Sequence, residues 1–286
     1  MSHVRIYEVG PRDGLQNEKT IIPTEQKIAL IDLLSEAGFE TIEATSFVSP
    51  KWVPQLADAE EVLAGIKRKQ GVTYAALTPN LKGFERAVAA GADEVAIFGA
   101  ASETFSRKNT NCSIAESFER FAPIIQGAAD KAIPVRGYVS TVVACPYEGD
   151  IAPEAVRDVA ARLMEMGCYE VSLGDTIGKG SPETITAMLE AVLQAVPAGK
   201  LAGHYHDTNN KALDNVRASL ELGLRCFDSA VGGLGGCPYA PGAKGNVSTT
   251  ALARMLAAEG WETGLDMDKL AAAEAYLAEV VAGLKE

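Results

Sequence analysis

The chain has 286 residues, 47% of them hydrophobic, and a formal net charge of −12. That apolar share suits a globular protein with a sizeable core, and the negative charge argues against a nucleic-acid or anionic-membrane surface. No apolar run reaches the roughly 18 residues a membrane-spanning helix needs.

Short β-branched runs alternate with longer segments of helical spacing. Strands are predicted at residues 3–9, 40–45, 73–77, 94–98, 135–141, 170–173, 202–206 and 226–231. Helices are predicted at 24–37, 57–69, 81–90, 114–131, 153–166, 182–196, 212–222 and 247–259, with a last one at 266–284. Helix starts are marked by Thr24 after Pro23, by Ser113 and by Ser181-Pro182. Helix ends are marked by Gly38, Gly91, Gly167 and Gly223, each shortly before a strand. Repeated strand–helix alternation implies a parallel sheet. Eight units in this length favour a closed (β/α)8 TIM barrel with an additional C-terminal helix, forming one domain over residues 1–286. No Gly-x-Gly-x-x-Gly follows the first strand, so a dinucleotide fold has little support. In a barrel of this kind the active site sits at the C-terminal ends of the strands. Polar residues at those ends should therefore converge.

The first strand ends in Gly10-Pro11-Arg12-Asp13-Gly14-Leu15-Gln16-Asn17-Glu18. It offers a carboxylate beside an always-charged guanidinium, or a polar turn held by an Arg–Asp pair. In the second strand, alternation turns Ile42 and Ala44 towards the helices and Thr41, Glu43 and Thr45 into the barrel. A buried acid there needs a partner, and Arg12 is the candidate. The fourth strand leads into a long polar loop, residues 99–112, with Lys108 in it; such loops bind substrate or are simply solvated. The fifth leads into the turn Ala144-Cys145-Pro146-Tyr147-Glu148-Gly149, with no role assigned. Asp175 ends the sixth strand, as a catalytic carboxylate or as a turn cap.

The seventh strand supplies His204 and His206, two of only three histidines in the chain. Two apart on a strand, they face the same way and can hold a divalent metal. An ordinary strand with one buried and one exposed histidine is the alternative. After the eighth strand comes a glycine-rich loop, Gly232 to Asn246, that carries Cys237 as a reactive or an inert thiol. Asn246 is either a ligand or the cap of the next helix. Two imidazoles with Asp and Asn oxygens and no cysteine cluster suit Mg²⁺ or Mn²⁺ better than a structural zinc. The five cysteines, Cys112, Cys145, Cys168, Cys226 and Cys237, are scattered without a CxxC pair. That fits free thiols in a reducing cytoplasm. An acidic chain can still take an anionic ligand through a local cluster of Lys, Arg and backbone N–H groups.

In the stretches at 10–18, Glu43-Ala44-Thr45-Ser46-Phe47-Val48, Gly174-Asp175-Thr176-Ile177-Gly178, His204-Tyr205-His206-Asp207-Thr208 and 233–240, the chain resembles the 3-hydroxy-3-methylglutaryl-CoA lyases. These belong to a superfamily of metal-dependent TIM-barrel lyases and synthases. The Arg-Asp-Gly and His-x-His elements are shared by the superfamily; the glycine loop with Cys237 is more specific to the lyases. The resemblance implies cleavage of 3-hydroxy-3-methylglutaryl-CoA to acetyl-CoA and acetoacetate, as in leucine degradation. It implies Asp13, His204, His206 and Asn246 as ligands of Mg²⁺ or Mn²⁺. Arg12 would stabilise the enolate oxygen, Glu43 would orient Arg12, and Asp175 would contact substrate and assist proton transfer. Cys237 would be the general acid/base, and Gln16, Ser46, Tyr138 and Ser172 would touch the acyl-CoA. A homodimer is implied by the family alone. No mitochondrial transit segment precedes the first strand, and the cysteine-bearing tail of animal forms is missing. The expectation is therefore a bacterial-type cytosolic enzyme without redox regulation through a tail thiol. Three other readings stay open: a lyase on a longer-branched 3-hydroxyacyl-CoA, a Claisen-type synthase, and a silent metal-binding barrel. The number of acids, histidines and Arg12 at one face argues against the last.

Overall fold

Eight strands pair in parallel, each with the next in sequence, and the last closes onto the first. The computed structural model describes residues 3–235 and 245–283. The ring consists of β1 (Arg5–Glu8), β2 (Thr41–Ser46), β3 (Thr73–Leu77), β4 (Glu94–Ala100), β5 (Val135–Ser140), β6 (Glu170–Asp175), β7 (Leu201–Tyr205) and β8 (Cys226–Ser229). Closure rests on β1–β8 pairing, with Arg5 opposite Cys226 and Glu8 opposite Ser229. The helices between are α1 (Thr24–Glu36), α2 (Ala59–Gly65), α3 (Leu81–Ala89), α4 (Glu103–Thr110), α5 (Ile114–Asp130), α6 (Pro153–Met166), α7 (Pro182–Val192) and α8 (Ala212–Glu221). After β8 come α9 (Thr249–Ala258) and α10 (Met267–Gly283). The closed parallel barrel and the added C-terminal helix are those expected from the alternation of the sequence.

The main apolar shell lies between strands and helices. Ile42 and Ala44 of β2, Val171 and Leu173 of β6, and Leu163 of α6 all belong to it. Alternation thus sends every second strand residue outward and leaves the others to fill the ring. Ser113 and Ser181 open α5 and α7 as expected: Ser113 Oγ accepts from the Glu116 N–H, and Glu116 accepts from the Ser113 N–H at 2.6 Å. Gly38 ends α1 with φ +96°, and a Cβ there would lie 2.5 Å from the Gly264 carbonyl oxygen, so both the turn and the approach of the chain before α10 require glycine.

The structure departs from the expected elements in four places. Thr24 caps nothing; Pro23 takes the position before the first turn, and the Thr24 hydroxyl donates to Asp58 (2.7 Å). The helix expected over 57–69 shortens to α2, because Pro54–Leu56 forms a separate tight turn and the chain leaves helical geometry at Ile66. The polar loop 99–112 contains α4, capped by Ser102, whose Oγ accepts from the Phe105 N–H (3.0 Å). The turn after β5 folds into a small hairpin, Ala144–Cys145 against Gly149–Asp150, and Glu148 accepts from the Thr104 N–H at the start of α4.

Candidate active site

Beyond β1 the chain closes a single wide helical turn, Gly10–Gly14, in which the N–H groups of Arg12, Asp13 and Gly14 all point to the Val9 carbonyl. Glu8, fully buried, fixes this turn from below. It accepts from the Gly10 N–H (2.7 Å), from the Val231 N–H after β8 (2.9 Å) and from the Thr249 hydroxyl of α9 (2.6 Å). Burial pushes Glu8 up to about 7 against those three donors. The turn thereby presents Arg12 and Asp13 to the mouth of the barrel.

Arg12 and Glu43 pair as expected: Arg12 Nε donates to Glu43 Oε2 at 2.6 Å, and the other arm of the guanidinium reaches Asp13. Burial would neutralise Arg12, but Glu43 and Asp13 outweigh it and hold the guanidinium firmly charged. Burial raises Glu43 more than Arg12 lowers it. For Asp13 the balance reverses: Arg12, then His204 and His206, overcome burial and keep the carboxylate ionised. Gln16 donates to Asp13 Oδ1 (2.9 Å), next to the pocket it lines.

His204 lies within β7, opposite Asp228 in β8. His206 lies one residue past the strand, bridged to Asn246. The two rings still face one region, with centroids 5.5 Å apart. Asp13, His204 and His206 each offer one ligand atom within 4.8 Å of the others, the one such cluster found among the described residues. Asn246 completes the group, its amide donating to Asp13 Oδ2 at 2.7 Å. It does not cap α9; Ser248 does.

This donor set fits a divalent cation. Burial, with His204 nearby, pushes His206 down to about 4, so its ring is neutral and carries a free lone pair. His206 Nδ1 is buried with no hydrogen-bond partner among the described residues. A neutral imidazole with a buried, unpartnered ring nitrogen beside an ionised carboxylate suits a cation.

The site opens into a cavity of about 990 Å³, which Arg12, Asp13, Gln16, His204 and His206 help to line. Leu77, Phe98 and Tyr138 supply an apolar wall, and Lys108 and Arg120 supply positive charge. Lys108 comes from α4, and the packing of its ammonium on the Tyr147 ring at 4.1 Å holds it there. Arg120 donates to the Thr110 and Asn111 carbonyls at the end of α4.

Three expected substrate contacts are not brought to this cavity. Asp175 shares the outward face of β6 with Val171 and Leu173. Its carboxylate turns into the following loop and accepts from the Gly180 N–H (2.7 Å) and the Lys179 N–H (3.1 Å). Burial raises it to about 6 in spite of those donors. These are the contacts of a turn cap. Ser172 faces inward but donates to Asp228 (2.7 Å), deep in the ring. Ser46 is fully buried and accepts from the Val48 N–H (3.2 Å). Cys237 lies outside the described residues.

Sequence reasoning missed what lies beneath the site. Asp228 accepts from His204 Nδ1 (3.1 Å) and from both arms of Arg136 (2.7 and 3.1 Å), and is held well below the usual carboxylate range against its burial. The available signal was a set of charges inside otherwise apolar strands: Glu94, Arg136, Glu170 and Asp228 all occupy strand positions and are all buried.

Residues 3–277 match the HMGL-like family model. The mitochondrial hydroxymethylglutaryl-CoA lyase of Bos taurus is 59% identical over 278 residues, covering 97% of this chain and 86% of its own. The solved HMG-CoA lyase of Brucella melitensis superposes with a TM-score of 0.97 at 59% identity, covering 99% of this chain and 100% of its own. An HMG-CoA lyase from Acinetobacter baumannii, solved in complex with coenzyme A and 3-methylmalate, gives a TM-score of 0.93 at 41% identity, covering 98% of this chain and 92% of its own.

Proposed function

The chain belongs to the HMGL-like family, and from that membership we propose that it cleaves 3-hydroxy-3-methylglutaryl-CoA to acetyl-CoA and acetoacetate. It acts as one catalytic domain. The observation that carries this reading is the convergence of Asp13, His204, His206 and Asn246 beside Arg12, at the end of a cavity that also holds cations for an anionic ligand. Those four residues would hold Mg²⁺ or Mn²⁺, which would supply Lewis acidity to the substrate's oxygens.

The chain's own groups do the rest. A base takes the proton of the tertiary hydroxyl, that oxygen becomes the ketone of acetoacetate as the Cα–Cβ bond breaks, and the electron pair of the broken bond passes into the thioester carbonyl as an enolate. Arg12, locked by Glu43 and Asp13, presents its remaining donors to that oxygen before charge develops, so little reorganisation is needed. Cys237 donates the proton to the enolate carbon. Lys108 and Arg120 draw in the anionic coenzyme portion, which explains how a chain of net charge −12 takes such a ligand. Asp175 holds the loop after β6 and is the carboxylate proposed to assist proton transfer. Leu77, Phe98 and Tyr138 bound the space for the substituent at C3.

The test is a substrate panel. Purified protein is given 3-hydroxy-3-methylglutaryl-CoA and analogues with longer C3 branches, and the released 3-oxoacid is measured. A preference of at least tenfold for the methyl compound is expected, within the roughly 10–200-fold that one methylene commands. Faster cleavage of a longer branch would move the activity to that substrate, and condensation without cleavage would move it to the synthases.

A further inference from the structure

Arg136 touches neither the cavity nor any of the four candidate ligands, yet hydrogen bonds lead from it to His204 and to Arg12. It is completely buried in β5. Its Nε donates to Glu170 (2.8 Å), its Nη2 to Asp228 Oδ1 (2.7 Å), and its Nη1 to both Asp228 Oδ2 (3.1 Å) and the Tyr138 hydroxyl (3.0 Å). The face of Tyr7 covers the guanidinium at 3.9 Å. Two chains of contacts leave this hub.

The first leads to His204. Both oxygens of Asp228 accept from the Arg136 guanidinium, the pairing of a carboxylate that acts as acceptor only. The His204 nitrogen facing it, Nδ1, must therefore carry the proton. That leaves the Nε2 lone pair on the side of Asp13, whose Oδ2 is 3.9 Å away. Ser172 adds a third donor to the same carboxylate oxygen and fixes its direction (2.7 Å). The second chain leads to Arg12. The Tyr138 hydroxyl accepts from Arg136 and donates to Glu43 Oε2 (3.2 Å), the oxygen that accepts from Arg12 Nε (2.6 Å). Strand geometry makes both chains possible. Arg136 and Tyr138 are two apart on β5 and face the same interior, while Asp228 sits directly opposite His204 in register.

We propose that Arg136 is a positioning residue that sets both halves of the reaction centre at once, orienting His204 through Asp228 and Arg12 through Tyr138 and Glu43. This rests on the lyase reading for its catalytic half; the metal half stands without it. A fork is needed because two acceptors in different directions must be fixed by one rigid plane, which a lysine ammonium cannot supply.

The experiment uses three variants of the full chain, and reads Mn²⁺ affinity of the metal-stripped protein by the electron paramagnetic resonance of free Mn²⁺, alongside kcat and KM at saturating metal. Asp228→Asn should weaken Mn²⁺ binding about 10–100-fold, with kcat largely rescued by excess Mn²⁺. Tyr138→Phe should leave Mn²⁺ binding within twofold and lower kcat severalfold. Arg136→Lys should show both losses, and excess metal should rescue only one. A folded Arg136→Lys protein with Mn²⁺ affinity and metal-saturated kcat both within twofold of the parent overturns the proposal. If Arg136→Lys does not fold, the other two decide: unchanged Mn²⁺ affinity in Asp228→Asn, or unchanged kcat in Tyr138→Phe, overturns it. A parent protein that binds Mn²⁺ but releases no acetoacetate would sink the lyase reading, while the Mn²⁺ titration of Asp228→Asn and Arg136→Lys would still judge the metal half.

Discussion

The barrel holds two layers of buried charge, and they differ in what they leave unsatisfied. In the lower layer, Arg136, Glu170, Asp228, Glu94 and Tyr7 answer one another: Glu94 accepts from Tyr7 and Tyr169 at 2.8 and 3.0 Å, and Glu170 accepts from Arg5 and Arg136. In the upper layer, Arg12, Asp13, Glu43, His204, His206 and Asn246 are also buried, though less completely, and His206 Nδ1 and Glu43 Oε1 have no partner among the described residues. A buried polar group without a partner costs about 1–3 kcal/mol. A protein that tolerates such groups at the mouth, and satisfies the charges below, has reserved the upper layer for something that arrives from outside. The lower layer holds the upper one still.

Breaking the upper layer should damage turnover before it damages the fold. Arg12→Gln should lower kcat by about 10²–10³-fold or more, with KM changed only severalfold, because the lost donors act on charge that exists only in the transition state. Steady-state kinetics check this, and retained turnover would remove Arg12 from the chemistry. His206→Ala should weaken Mn²⁺ binding beyond the roughly 10–100-fold that loss of an outer partner brings. Its melting temperature without metal should change little or rise, since an unpartnered buried nitrogen is removed; titration with Mn²⁺ and thermal denaturation read both.

Much of this contrast was legible in the chain and part was not. Short strands ending in polar turns gave the ring, and alternation in β2 sent Glu43 inward to Arg12. The same rule, applied to β6, would have turned Asp175 away: with Ser172 inside, Leu173 and Asp175 must face the helices. The lower layer was hidden for a different reason. Arg136 and Asp228 are 92 residues apart, and their meeting depends on register carried around the closed ring, which no local pattern encodes. Helix α4 was hidden by its polar composition, since its cap and its packing, not an apolar stripe, establish it.

Breaking the support beneath the site should act on stability and its pH dependence. Glu8 rises to about 7 on folding from an ordinary 4.5. The native state therefore holds a proton that the unfolded chain releases over that range. Its contribution is fully present below about 4.5 and is lost as pH rises through 7, worth roughly 3 kcal/mol. Glu8→Gln has no such proton, so its stability, measured by denaturant unfolding between pH 5 and 8, should fall less steeply with pH than the parent's. An identical slope would contradict the assignment. The smallest effect is expected far from either layer. Ser113→Ala removes the cap of α5 and should cost about 1 kcal/mol with kcat unchanged, which marks the level of a purely structural loss.

The reserved upper layer is tested most directly by acetoacetate release from 3-hydroxy-3-methylglutaryl-CoA, measured with Mg²⁺ or Mn²⁺, after EDTA, and after metal is restored. Release that needs metal, stops with chelator and returns on re-addition is the predicted result. Release that continues undiminished in EDTA would contradict the account, because Asp13, His204, His206 and Asn246 would then be a satisfied structural cluster like the one below them.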